Sequence, residues 1–215
     1  MRPALHTILL TLLIASTPAP LAAQDERFQH QYAEKTYAPI PSAFSTITQR
    51  LKAWNLRAEE EMQILQTATH PKVTAWRAKI MAIDTADEKQ LLEKINTITN
   101  AAVTYRDDYD HYNKDFWAPP FETLTEGGDC EDIALLKAVA LHMHGWDMTD
   151  RGHVLVGMVD FHGKPTAHAV LAVNLTVNIH YVMRSRRTSV VTFDDMEPAM
   201  KPLSLVSSKF LVVFQ

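Results

Sequence analysis

The chain has 215 residues, of which 47% are hydrophobic and 21% are charged, a composition typical of a globular protein with one substantial core. Its formal net charge is −4 at pH 7, which argues against nucleic acid or an anionic membrane as its main partner. The chain contains one cysteine, Cys130, so an internal disulfide is excluded. That thiol is either an inert core residue or used chemically.

The N-terminus has the features of a secretory signal peptide over residues 1–23. Arg2 supplies a positive charge, residues 8–15 form a short apolar stretch, and residues 21–23 end in two alanines, as at a cleavage site. The alternative is a membrane anchor, but this stretch is well short of the ~20 residues that span a bilayer. We therefore expect a mature domain at 24–215 in the periplasm, without a transmembrane segment.

Three amphipathic helices are predicted in the first half of the mature chain, after a polar, extended lead-in at residues 24–41. They begin near Ser42, at Pro71 and after Thr85, where Thr85 and Glu88 resemble a capping box. The residues predicted to face the core are, in chain order, Phe44, Ile47, Leu51, Trp54, Val73, Trp76, Ile80, Leu91, Leu92, Ile95 and Ile98.

Residues 104–124 interrupt the helical pattern. This segment is rich in aspartate and aromatic residues, and it ends near a Pro-Pro pair that is expected to stop any helix. Asp107, Asp108 and Asp110 invite comparison with a calcium-binding loop, but the central glycine and distal glutamate of an EF-hand are not at the required spacing. We interpret the segment as an irregular loop that lines a site.

A further amphipathic helix is predicted from Cys130 to His144, with Gly145 as its stop. The hydrophobic period then changes to two, which is typical of strands. The predicted strands cover residues 153–161, 168–173, 176–183, 190–193 and 210–214. Helices followed by an antiparallel sheet indicate an α+β domain.

Cys130 opens the predicted helix, where free backbone N–H groups and the helix dipole favour a thiolate. Three carboxylates flank it, at Asp129, Glu131 and Asp132, and they oppose that charge. An imidazole would supply a cationic partner, and His168 is the best placed because it begins a predicted strand 38 residues downstream. His142 and His144 lie two apart on a helix and point to different sides, unlike a zinc pair.

The segment YRDD…DFWAPPFETLTEGGDCEDIALLK, followed by AHAVLAV, resembles the bacterial transglutaminase-like cysteine proteinases, the group that contains the LapG-type periplasmic adhesin proteases. The shared features are a Trp-x-x-Pro approach, a Gly-Asp-Cys-Glu-Asp box, a lysine seven residues after the cysteine, and an Ala-His step that opens a strand. The resemblance covers roughly residues 45–185. It implies a papain-like transglutaminase core, in which a cysteine at a helix N-terminus faces a histidine and an aspartate on neighbouring strands.

The resemblance also implies calcium, because the acids beside the cysteine bind calcium in the LapG-type proteases and their activity requires it. The corresponding ligands here are Asp129 and Glu131, with Asp132 as an addition. A divalent cation would neutralise the carboxylates around the thiol. Alternatively, these acids only cap the helix. The implied partners are a large surface adhesin as substrate and an inner-membrane cyclic-di-GMP receptor.

One position departs from the family pattern. The family carries a Val-Leu-Asp-Asn-like step on the strand after the histidine strand, whereas this chain has HYVMRSRR, with Arg184 or Ser185 at the place of the aspartate. No carboxylate lies between His168 and Asp194 in the sequence. The third catalytic residue is therefore Asp194, Asp195 or none.

These features support three hypotheses. The first is a cysteine endopeptidase in which Cys130 attacks a backbone carbonyl and His168 transfers the proton. The second is a catalytically weakened relative that binds calcium and a protein partner, which the missing aspartate favours. The third is acyl transfer to an amine, which the same Cys-His pair allows.

Overall fold

The computed structural model describes residues 49–50, 53, 57, 60–175, 180–185, 187–196, 200–206 and 211–213. The predicted signal peptide, the lead-in and most of the helix predicted from Ser42 lie outside these residues. Over the described part of the chain, no helix combines the length and the apolar character needed to cross a membrane.

The helices precede the sheet in the chain. Residues 60–67 are helical, and they are followed by α1 (Pro71–Met81), α2 (Glu88–Ala102), α3 (Asp108–Tyr112), α4 (Pro120–Glu126), α5 (Cys130–Met143) and α6 (Met148–Arg151). The predicted core faces of α1 and α2 are confirmed by the burial of Val73, Trp76, Ile80, Leu91, Leu92 and Ile95.

Two of the predicted helix boundaries were wrong. Asp87, rather than Thr85, is the N-cap of α2, since its side chain accepts the Gln90 N–H at 2.9 Å. The Pro119-Pro120 pair begins a helix instead of stopping one, with Pro119 as the N-cap of α4. A proline suits the first helical position, because its N–H group would have no intrahelical partner there.

Within the described residues, the sheet has six antiparallel strands in the order β4-β3-β2-β1-β5-β6. The strands are β1 (Gly152–Phe161), β2 (Lys164–Asn174), β3 (His180–Met183), β4 (Val190–Thr192), β5 (Met200–Val206) and β6 (Leu211–Val213), with a short helix α7 (Phe193–Met196) after β4. Helices followed by an antiparallel sheet confirm the predicted α+β class.

Strand β5 was not predicted. It contains Pro202 and lies between β1 and β6, where a residue without an N–H group is unfavourable. Pro202 pairs with Gly157 next to a register shift between Val156 and Gly157. A Cβ atom at Gly157 would lie 2.6 Å from the Lys201 carbonyl oxygen, so glycine permits this close approach.

Helix α5 is the centre of the core. It contacts α2 and α4 on the helical side and β1 and β2 on the sheet side. Every residue from Cys130 to Lys137 is buried, so the prediction of an amphipathic helix was wrong for this half of α5. This half of the helix packs against other elements on all sides, so that even Lys137 is 0% exposed.

Candidate active site

A close backbone crossing places Cys130 at the start of α5. Gly127 has a φ of 109°, and a Cβ atom there would lie 2.6 Å from the Thr104 carbonyl oxygen. The Gly128 N–H donates to that oxygen at 3.2 Å, and the Arg106 N–H donates to the Gly128 oxygen at 3.0 Å. The two glycines therefore let residues 104–106 pass directly beside the residues that precede the cysteine.

The thiol of Cys130 contacts both the sheet and its own helix. Its Sγ accepts the backbone N–H of Ala169 at 3.2 Å and donates to Glu131 Oε2 at 3.2 Å. Ala169 directly follows His168, which is half-buried in β2. The fold thus brings the thiol to the strand that carries His168, although 38 residues separate the two in the sequence.

Five acidic residues surround the start of α5, and we call them the carboxylate cluster: Asp108, Asp115, Asp129, Glu131 and Asp132. Potential metal-ligand atoms within 4.8 Å of one another occur in three overlapping groups, which are Asp129–Cys130–Glu131, Asp108–Asp129–Asp132 and Asp108–Asp115–Glu131. The sequence analysis connected only Asp129, Glu131 and Asp132 with the thiol. The aspartate-rich stretch before the Trp-Pro step was the available signal for the other two.

The members of the carboxylate cluster differ in whether their oxygens accept hydrogen bonds from the protein. Asp132 Oδ1 accepts the Ala118 N–H at 2.7 Å, and its Oδ2 accepts the Asp129 N–H at 3.2 Å. In contrast, the Oδ1 atoms of Asp108, Asp115 and Asp129 are buried without a hydrogen-bond partner among the described residues. Buried polar atoms of this kind usually have a partner, and carboxylate oxygens are the donors that calcium prefers.

Burial and mutual repulsion make the carboxylates of this cluster hard to ionise. Burial, and after it the neighbouring acids, raise the pKa of Asp129 to about 9 and that of Asp132 to about 8. Burial, partly offset by a backbone N–H bond from Phe116, raises the pKa of Asp108 to about 6. Burial also raises the pKa of Glu131.

The thiol is affected in the same direction. Burial, then Glu131 and Asp129, raise the pKa of Cys130 well above its ordinary value, and the Ala169 N–H only partly offsets this. Among the protein groups alone, burial and the carboxylates therefore oppose the thiolate that a helix N-terminus favours.

Lys137 holds the loop that follows β3. Its buried Nζ donates to the Arg184 carbonyl oxygen at 3.0 Å, and burial lowers its pKa well below the ordinary value. Asn100 Nδ2 donates to the carbonyl oxygens of Arg184 at 2.9 Å and Arg187 at 2.8 Å. Asn96 Nδ2 bonds the carbonyl oxygens of Arg187 and Thr188 at 2.7 and 3.0 Å. We call these three donor side chains the carbonyl clamp.

The clamped loop is the place where the family aspartate is expected. Ser185 is buried, and its Oγ has no hydrogen-bond partner among the described residues. Strand β3 pairs with β2 only as far as Met183 opposite Leu171, and residue 185 lies in a turn beyond this pairing. Asp195 is exposed, and its carboxylate accepts the Thr192 hydroxyl at 2.6 Å in a local turn. The Asp194 side chain lies outside what the structure describes.

The remaining histidines occupy separate places. His142 Nδ1 lies 3.3 Å from the Trp146 carbonyl oxygen, and His144 Nε2 lies 3.0 Å from that of Ile80. His153 is buried in β1. His111 Nε2 lies 3.1 Å from Glu126 Oε2, a contact that sequence reasoning missed.

Comparisons with known proteins give a family and a similar fold. The family model described as bacterial transglutaminase-like cysteine proteinase matches residues 67–198. Solved structures of Legionella pneumophila LapG are similar in fold. The calcium-bound form has 24% identity and a TM-score of 0.59, covering 72% of this chain and 86% of that one. The EGTA-treated form has 24% identity and a TM-score of 0.57, with coverages of 72% and 84%. No curated protein matches the chain.

Proposed function

The chain belongs to the bacterial transglutaminase-like cysteine proteinases, and from that premise we propose that it is a calcium-dependent cysteine endopeptidase of the periplasm. One observation carries this proposal. The only cysteine opens a buried helix, contacts the strand that bears His168, and lies within a cluster of carboxylates that have unpaired oxygens. A structural cysteine in an apolar core would need none of these surroundings.

In the proposed reaction, Cys130 Sγ attacks the scissile carbonyl carbon, and His168 takes the thiol proton. The backbone N–H of Cys130, at the helix N-terminus, donates to the oxyanion. Collapse of the tetrahedral intermediate breaks the C–N bond, and His168 returns the proton to the leaving amine. Water, activated by the same imidazole, then hydrolyses the thioester and releases the acid.

Calcium fits the carboxylate cluster better than it fits the individual acids of the cysteine box. Asp129 and Glu131 would be ligands, and Asp108 and Asp115 add oxygens from the preceding segment. Both oxygens of Asp132 are engaged by backbone N–H groups, so we assign it mainly to holding the loop. When bound, the cation would supply positive charge beside the thiol. LapG has been solved in calcium-bound and EGTA-treated forms, which supports this choice of metal.

The substrate, partner and location follow from the resemblance to LapG-type proteases. We propose a large surface adhesin as substrate and an inner-membrane cyclic-di-GMP receptor as the partner that sequesters the enzyme. Residues 1–23 would direct export to the periplasm. The absence of a carboxylate at positions 184 and 185 favours a second candidate, a weakened relative that binds calcium and a protein partner.

The two candidates differ in whether new peptide termini appear. Washed cells of the source bacterium lacking this protein would be incubated with the purified 24–215 protein in calcium, and released fragments would be sequenced after N-terminal labelling. We expect defined new N-termini with the wild type and none with Cys130→Ala, His168→Ala or EGTA. Fragments that also appear with Cys130→Ala would contradict the endopeptidase. No fragments, with calcium binding intact, would favour the weakened relative.

A further inference from the structure

Strand β2 extends beyond its neighbour on one side. It pairs with β1 over its whole length, from Lys164 to Asn174, whereas β3 pairs only with residues 171–174. Over residues 164–170, β2 is not paired with β3 in the described part of the chain. Residues 164–167 are exposed, so the edge of β2 that faces away from β1 is open to solvent there.

The register of the hairpin determines which backbone groups face the open edge. Phe161 pairs with Lys164 across His162 and Gly163, which both have positive φ, at 54° and 80°. This is the backbone of a two-residue type I′ turn, in which the flanking pair is hydrogen-bonded. Residues 164, 166 and 168 therefore bond to β1, and residues 165, 167 and 169 direct their backbone groups to the open edge.

The thiol supports this assignment. The Ala169 N–H points away from β1 and donates to Cys130 Sγ at 3.2 Å. A strand added to the edge would lie about 4.8 Å from β2. The thiol therefore stands in the path of such a strand, and a chain that runs along β2 would reach Cys130.

The usable part of the edge is short. Pro165 has no N–H group and Lys164 is charged, two features that protect an edge against unwanted pairing. Ala167 lies between them and the thiol, and it offers both an N–H and a carbonyl oxygen.

We propose that the substrate polypeptide binds as an added β-strand, paired with Ala167 on the open edge of β2, so that its scissile peptide reaches Cys130. The inference rests on the proposed peptidase function and adds the form of the substrate. The occupant is an extended segment with unpaired backbone groups, recognised largely through its main chain. Segments already paired within a folded domain are excluded.

The test uses a probe of defined chemistry on the calcium-loaded wild type. Acetyl-tetra-alanine chloromethyl ketone alkylates the thiolate with loss of chloride, and alanine isolates the contribution of the backbone. Each amide of the probe is N-methylated in turn, and the rate of Cys130 modification is followed by mass spectrometry. Strand addition predicts that methylation at alternate positions slows the reaction about 3- to 10-fold, the loss expected for one hydrogen bond, while the intervening positions have little effect.

A protein variant provides the complementary test. Ala167→Pro deletes one N–H on the open edge without removing a bond to β1, so it should slow the unmethylated probe about 3- to 10-fold. Ala167→Val keeps the N–H and is the matched control, expected near the wild-type rate. Iodoacetamide, which needs no docking, should alkylate Cys130 equally in all three proteins.

The outcomes separate the two proposals. Normal iodoacetamide reactivity together with no alternation along the probe, or equal effects of Ala167→Pro and Ala167→Val, would overturn strand docking while leaving the peptidase in place. A thiol that fails to react even with iodoacetamide in calcium would overturn both. A wild-type dimer in sedimentation that Ala167→Pro abolishes would show that a second copy of the chain occupies the edge instead.

Discussion

The Glu131 carboxylate should control the reactivity of Cys130 in opposite directions with and without calcium. Its Oε2 lies 3.2 Å from Sγ. At an effective dielectric constant of about 20, two unit charges at that distance interact by about 5 kcal/mol, which is almost 4 pKa units. This is an upper limit for the effect of Glu131→Gln on the thiol, because burial raises the pKa of Glu131 itself and so reduces the negative charge that it carries.

The assay measures iodoacetamide alkylation of Cys130 by mass spectrometry across pH, in EGTA and in calcium. In EGTA, Glu131→Gln should lower the pKa of the thiol, and well below that pKa each unit lost multiplies the alkylation rate tenfold. In calcium, the wild type should become the more reactive of the two, because the variant has lost a ligand. Glu126→Gln, an exposed α4 residue outside the carboxylate cluster, is the control and should match the wild type.

The expected result is that Glu131→Gln is alkylated faster than the wild type in EGTA and more slowly than the wild type in calcium. If the wild-type profile is identical in EGTA and calcium, the cation does not act on the thiol. If Glu131→Gln makes the thiol less reactive in EGTA, the carboxylate supports the thiolate and the electrostatic reasoning is wrong.

Three further predictions concern stability and the third catalytic residue. The pKa of Asp129 is raised to about 9 in the folded protein, so folding retains a proton that the unfolded chain releases above about pH 4. Without calcium, Asp129 alone should therefore lower the free energy of unfolding from pH 5 to pH 8 by up to about 1.4 kcal/mol per pH unit, and a flat thermal-denaturation profile in EGTA would contradict this. Asn100→Ala removes two hydrogen bonds to the clamped loop, while Lys137 and Asn96 still donate to the same carbonyl oxygens, so at about 0.5–1.5 kcal/mol per bond it should cost about 1–3 kcal/mol in urea denaturation. Thr97→Ala on the exposed side of α2 should cost little, and equal losses would refute the clamp. Asp195→Asn should leave the rate of proteolysis unchanged because a local turn holds that carboxylate, and Ser185→Asp should raise kcat/KM by orienting the imidazole; a sharp loss from the first would identify Asp195 as the third residue.

Local patterns predicted much of the fold, because helices and the long strands are decided over short stretches. The spacing of Val73, Trp76 and Ile80 predicted α1, and the alternation along residues 153–161 predicted β1. Strand β5 was not predicted because a proline is unfavourable inside a strand. Pro202 is tolerated there because it pairs with Gly157 at a bulge.

The candidate site was predicted in part for the same reason. The acids beside Cys130 are visible in the sequence, but Asp108 and Asp115 join them only because the chain crosses itself at Gly127 and Gly128. The direction of the thiol pKa shift could not be predicted either, since it depends on how deeply the carboxylates are buried. The contact of the thiol with Ala169, the residue after His168, depends on strand pairing, which spacing along the chain suggests but does not define.

The two halves of the site also differ in when they can assemble during synthesis. The carboxylate cluster and Cys130 all lie within residues 108–132, so their contacts close short loops as soon as this stretch has been made. Ala169 and His168 arrive later and are positioned only after β1 and β2 have paired, and long-range strand pairing is a slow step of folding. Under the proposed mechanism, a nascent chain would thus have its nucleophile without its base until the sheet is complete, so the extended chain would not cleave itself.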